Sequence, residues 1–267
     1  MGRPAFFKTA AVLWAGGLVG LIAVIPFSLS LQGDRLRETI AQTGLPSSAL
    51  IAISIGQGAL FLAVAVALGL WATRKIGLGA PLVEAVLERD ALPGWTGRAL
   101  RQAALIGVVC GGAIIALDAW VFLPLDPDGI GGLEGAHPPA WQGLLASFYG
   151  GIAEELQLRL LMLSLVALGL RGLGRLAGAD RQALLPGWAF WGANIVAAVL
   201  FGLGHLPATA ALLPLTPLIV VRAVALNGVA AIPFGWLFRR RGIEIAMAAH
   251  FTTDIVLHVI LPLVARA

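Results

Sequence analysis

Apolar runs of about 20 residues recur along this chain, over 9–31, 48–72, 103–125, 141–170, a stretch within 188–213, 218–238 and 243–264. A helix of that length rises about 30 Å, the hydrocarbon thickness of a bilayer. Lipid offers no partners to backbone N–H and C=O groups, so such runs must satisfy them internally, as helices. A transmembrane barrel would show short alternating segments instead. The expected fold is all-α, a polytopic transmembrane bundle of about seven spans forming one integral-membrane domain over 1–267. Composition agrees: 12% of residues are charged, against about 25% in a soluble domain. The first run exceeds the roughly 7–15 residues of a signal-peptide core and reads as a retained span. Gly16 and Gly20 give it a small-residue packing face. The single Cys110 lies inside the third run, which excludes an internal disulfide framework and a Cys-based metal cluster.

The net charge of +4 would suggest nucleic acid in a soluble protein, but here the basic residues cluster in short loops. They report topology, and the expected partners are the lipid bilayer and a substrate, with no nucleic acid. Five Lys and Arg lie within 74–101, none around Asp126, three within 171–181, none around Pro214 and three in the turn at Arg239. The expectation is therefore a bacterial inner (plasma) membrane protein with a cytoplasmic N-terminus and an outer C-terminus. A polar loop is expected around Asp34, Arg35, Arg37 and Glu38, and a turn-rich acidic loop from Asp126. The charged but amphipathic segment 78–95 reads as interfacial.

The fourth run carries Glu154, Glu155 and Arg159. Burying each such group in lipid costs about 2.5 to 3.5 kcal/mol on insertion scales. At 3.6 residues per turn Glu155 and Arg159 share a face and pair, while Glu154 is turned about 100° away and stays available. Ala146 and Gly150 precede Glu154 on its face, and Ser147 and Gly151 precede Glu155, all small enough for other helices to approach. Further polar groups at membrane depth are His205, Arg222, Asn227, His250, Asp254 and His258; Asp118 reads as a structural carboxylate whose chemical role stays open. Their cost is offset only if they meet in one polar cavity. A carboxylate beside a histidine in a dry cavity is what deprotonating water requires, and further donors can hold an oxyanion.

Glu154-Glu155-x-x-x-Arg159, Phe201-x-x-x-His205 and His250-x-x-x-Asp254, in that order on separate spans, resemble the motifs of the CAAX-prenyl-protease and bacteriocin-processing family of intramembrane endopeptidases. The likeness covers 141–261; the first half of the chain adds only hydropathy. The resemblance implies a glutamic-type peptidase without a cofactor, acting on a protein or peptide substrate, membrane-anchored or free. It implies Glu154 as base, His205 as its partner, His250 as oxyanion donor, and Glu155 with Arg159 as the orienting pair. Asp254 stands where eukaryotic members have Asn; an ionised Asp cannot donate to an oxyanion, so it is protonated, orients His250, or does something else.

Three rivals stay open. Glu154, Glu155, His205, His250 and Asp254 are also the ligand types of a zinc or di-metal site, although His-Glu-x-x-His is absent. Buried Glu, Asp and His also mark proton or ion transporters, whose two related halves are not evident here. A non-catalytic membrane scaffold or immunity protein would make Glu154 replaceable. Serine chemistry is disfavoured, since Gly-x-Ser-x-Gly is missing.

Depth along the spans raises one conflict. A fifth span starting at Trp188 on the inner face would carry His205 about 26 Å along it, near the outside and beyond reach of Glu154. The expected resolution keeps 182–191 in the inner interface, with Trp188 and Trp191 as belt residues, and starts the true span at 194. The cavity is then expected in the cytoplasmic half or middle of the membrane, open toward the basic loops.

Overall fold

The computed structural model describes residues 3–131, 138–178 and 183–265, and all regular structure among them is helical. In chain order the main helices are α1 Arg3–Ala23, α2 Ile25–Thr43, α3 Ser47–Ile76, α4 Pro81–Glu88, α5 Thr96–Leu125, α6 Ala140–Leu176, α7 Gly187–Thr209, α8 Pro217–Arg241 and α9 Ile243–Ala265; a short helix, Pro127–Gly131, stands after α5 where an acidic loop was expected. Seven of these, α2 and α4 excepted, are long and apolar enough to cross a membrane. The chain is an integral membrane protein of the expected helical kind.

Two boundaries differ from the expected ones. The first apolar run is cut at Val24 rather than running to 31, because Pro26 supplies no N–H and its ring crowds the preceding turn. The segment after the cut is helical rather than a polar loop: α2 carries Asp34, Arg35, Arg37 and Glu38, with an Arg37–Asp34 pair one turn apart. The fifth span starts at Gly187, directly after Pro186, and includes Trp188 and Trp191, since nothing between Gly187 and Asn194 breaks a helix. Gln182, part of the segment assigned to the interface, lies outside the described residues, as does Arg181. The depth conflict dissolves because α6 is also longer than expected. Counted from the basic end the two helices share, Glu154 is 22 residues from Leu176 and His205 is 18 from Gly187.

That shared end is tied together by its cations. Arg171 donates to the carbonyls of Lys75 and Leu184, and Arg239 to that of Leu185 at 3.3 Å, so α3, α6, α7 and α8 have their basic ends on one face. α4 joins them there. Glu244, in the first turn of α9, accepts from the N–H groups of Leu82 and Val83, both at 2.8 Å, and so caps the start of α4.

α6 is the central helix, packed against α1, α2 and α3 on one side and α7, α8 and α9 on the other; α5 backs α8 and α9. Missing side chains permit this. A Cβ at Gly20 would lie 2.7 Å from the Phe148 carbonyl oxygen, and one at Gly69 the same distance from that of Leu160. Pro233, inside α8, leaves the Val229 carbonyl without its usual donor. Neighbouring helices serve the segment before it: the Cys110 thiol reaches Val229 O at 3.8 Å, Arg159 donates to Ala231 O at 3.1 Å and Asn194 to Ile232 O at 3.0 Å. This is how membrane helices accommodate proline.

The support that α5 gives α9 can be tested. A Cβ at Gly107 would meet the Ala249 carbonyl oxygen at 2.5 Å and Thr252 at 2.7 Å, whereas one at Gly112 meets nothing within 4 Å. Gly107→Val is expected to cost about 1–3 kcal/mol through overpacking and to lower the melting temperature in detergent. Gly112→Val should leave it unchanged; equal effects would contradict this packing.

Candidate active site

The middle of α6 is not a regular α-helix. Tyr149–Glu154 and Leu156–Leu163 are wound as π-helix, flanking Glu155. Such wide turns are rare and concentrate at functional sites. Ser164 Oγ donates to the Arg159 carbonyl five residues back, at 3.1 Å, and so helps to satisfy the widened ladder.

Glu155 is completely buried; its Oε1 forms an ion pair with Arg159 Nη1 at 2.8 Å and accepts a hydrogen bond from His250 Nδ1 at 2.7 Å. The expected pair is present, and it reaches across to α9. Since a carboxylate only accepts, Nδ1 of His250 carries a proton and Nε2 points onward. Arg159, 1% exposed, lies beside the rings of Phe234 and Phe201, 5.4 and 5.5 Å from their centroids. The charge is delocalised and weakly hydrated, which suits an aromatic surround.

Glu154 turns away from this pair into a cavity of about 660 Å³, which His205, His250, Asp254, Asn227 and His258 also line. Its Oε2 is 3.7 Å from His250 Nε2, and Asp254 Oδ1 is 3.7 Å from the same nitrogen. Two carboxylates thus face one imidazole edge. Gly150 makes room for this, because a Cβ there would collide with Asp254 Oδ2. His205, at the end of the long helical part of α7, has Nδ1 2.9 Å from the Phe201 carbonyl oxygen, so Nδ1 is the donor. Nε2 is then the nitrogen left for chemistry.

The six residues singled out in the sequence therefore form one assembly: Glu154, His205, His250 and Asp254 on the cavity, Glu155 and Arg159 behind it. Asp118 is not part of it. It pairs with Arg222 through two bonds of 2.6 Å, fixing α5 to α8. Ser147 Oγ is spent on Gly143 O at 2.9 Å. Among the described residues no three His, Cys, Asp or Glu side chains are arranged to hold a metal ion. The sequence reading missed Tyr149 and Gln157 on the cavity wall. Tyr149 is five residues before Glu154, a spacing that an α count turns away and a π turn brings round.

The cavity is walled by the last residues of α1, the first half of α2, the first half of α6, the end of α7 and the middles of α8 and α9, with Ile114 of α5.

Residues 136–256 match the family model described as Rce1-like, Type II CAAX prenyl endopeptidase Rce1-like. Over that segment, just under half of its length, the chain is similar to the CAAX-protease family. No curated protein and no solved structure matches it. The matched segment contains all six assembled residues and ends two before His258. That likeness, with seven helices long and apolar enough to cross a membrane, agrees with a membrane-embedded protease. α1, α3 and α5 lie outside the match yet pack on the helices that carry the motifs.

Removing one partner of a buried ion pair costs about 3–5 kcal/mol, since the other charge is left uncompensated. Glu155→Ala is therefore expected to lower the melting temperature far more than Glu154→Ala, whose carboxylate is 19% exposed to the cavity. Arg159→Leu should recover part of the Glu155→Ala loss. Equal melting temperatures for the two single variants would contradict the pairing.

Proposed function

We propose that the chain is an intramembrane endopeptidase in which Glu154 takes a proton from water so that the hydroxide attacks a peptide carbonyl. The observation that supports this best is the division of labour between adjacent carboxylates. Glu155 is neutralised by Arg159 and spends an oxygen on His250, while Glu154 faces the cavity with imidazoles on the same wall. A base must hold its lone pair within reach of water, and a carboxylate locked to a guanidinium does not.

The water oxygen forms the new C–O bond as the carbonyl π pair moves to oxygen, and the water proton passes to Glu154. His205 Nε2 accepts from the same water and holds its lone pair toward the carbon. His250, fixed by Glu155, donates through Nε2–H to the oxyanion when that nitrogen is protonated. Collapse restores the carbonyl, the C–N pair leaves with the amine, and the amine takes the proton from Glu154. Asp254 orients the His250 edge, or donates to the oxyanion itself if protonated. The low dielectric around the cavity strengthens each of these interactions.

Glu154→Gln keeps the volume but cannot accept the proton. Hydrolysis of a fluorogenic peptide library by the purified protein in detergent is expected to fall by at least about 100-fold, with folding unchanged. Wild-type turnover in that variant would remove Glu154 from the mechanism. Activity is also expected to survive exhaustive EDTA and phenanthroline. Loss on chelation with recovery on added zinc would instead assign the cluster to a metal.

A further inference from the structure

Three spans carry an apolar stripe that ends in cations at the same end of the bundle. On α3 the exposed Val64, Leu68 and Trp71 are followed by Lys75. On α5, read toward its start, the exposed Val108 and Leu105 are followed by Arg101 and Arg98, and on α8 the exposed Ile232 and half-buried Trp236 are followed by Arg240. Residues three or four apart share a helix face, and the exposed apolar face of a membrane span is the one that meets lipid. These four cations therefore stand over acyl chains, at headgroup depth, with their stems lying on the apolar surface below.

Tryptophan, which concentrates at the membrane–water interface, marks that depth. Lys75 Nζ is 5.4 Å from the Trp71 ring centroid, the Arg240 guanidinium is 5.8 Å from that of Trp236, and the neighbouring Arg241 is 5.1 Å from that of Trp95. Among the described residues none of Lys75, Arg98, Arg101 and Arg240 is ion-paired. The carboxylates nearby are engaged elsewhere: Glu84 lies beside Arg74, and Glu244 accepts from the N–H groups of α4. The opposite ends of the spans are different. No Lys or Arg lies between Arg101 and Arg159 or between Arg181 and Arg222, and on α2 Arg35 is spent on the Pro207 carbonyl and Arg37 on Asp34.

We propose that the basic end of the bundle is a binding surface for anionic phospholipids, whose phosphates sit on Lys75, Arg98, Arg101 and Arg240 while their acyl chains lie along the three stripes. A zwitterionic lipid carries its own cation beside the phosphate, so the surface selects the anionic one. Val86 on α4 and Leu92 after it are exposed apolar side chains at the same end, as an interfacial segment requires. A soluble acidic partner fits less well, because the cations stand at span ends and the turn from α8 to α9 is Gly242 alone, with no protruding surface to grip. The proposal does not depend on the peptidase reading.

The test uses the full chain, purified in detergent, stripped of lipid and exposed to an equal mixture of phosphatidylglycerol and phosphatidylcholine with the same acyl chains. Native mass spectrometry then reads the lipid retained. The wild type is expected to keep phosphatidylglycerol in several-fold excess, and the excess should shrink as ionic strength during exposure rises beyond about 0.1 M, where charges are screened over about 10 Å. Replacing Lys75, Arg98, Arg101 and Arg240 together by Gln should bring the two lipids to parity. Arg98→Lys with Arg101→Lys, which keeps the charge, and Arg37→Gln, at the other end of the bundle, should both preserve the excess. If the quadruple variant loses its helicity, Arg98→Gln with Arg101→Gln, both on the surface, carries the test and should reduce the excess. No preference in the wild type, an excess that survives charge removal in a folded variant, or an excess abolished by Arg37→Gln would overturn the proposal.

Discussion

Arg159 is among the largest fully buried side chains in the protein, and it lies within a membrane span. Desolvating a guanidinium and a carboxylate there costs several kcal/mol per ion, and their attraction offsets this only with good geometry and further hydrogen bonds. Those further bonds organise the site. Arg159 reaches Ala231 in α8, Glu155 reaches His250 in α9, and Phe201 of α7 and Phe234 of α8 enclose the cation. One ion pair on α6 thereby fixes three other helices. The adjacent Glu154 is turned to a cavity whose histidines, with Asn227 and Asp254, come from those same helices.

Much of this could be read from residue order, because hydropathy and charge act over whole spans. Seven apolar runs set the number of spans, and the four-residue spacing of Glu155 and Arg159 was enough to expect their pairing and the exclusion of Glu154 from it. What escaped was anything decided within a single turn. Pro26 ends the first span early, and the helix after it looks polar in sequence because it packs so little. The start of α7 at Gly187 was lost because Trp188 and Trp191 suit both an interface and a span. The π turns around Glu155 leave no local composition signal, so Tyr149 was invisible as a neighbour of Glu154.

The membrane polar groups also separate by partner. Asp118 and Arg222 satisfy each other with two short bonds, whereas Glu154, His205, His250 and Asp254 share one cavity wall. In sequence the two sets look alike, since each is a carboxylate and a base within apolar helices.

The most direct test of the division between the two glutamates is chemical. Carbodiimide coupling of a small amine to the folded protein in detergent, followed by peptide mass mapping, reads which carboxylates water and reagent can reach. Glu154 is expected to be modified and Glu155 protected until the protein is denatured. Modification of Glu155 in the folded protein, with Glu154 unreactive, would contradict the assignment of one as the locked partner of Arg159 and the other as the base.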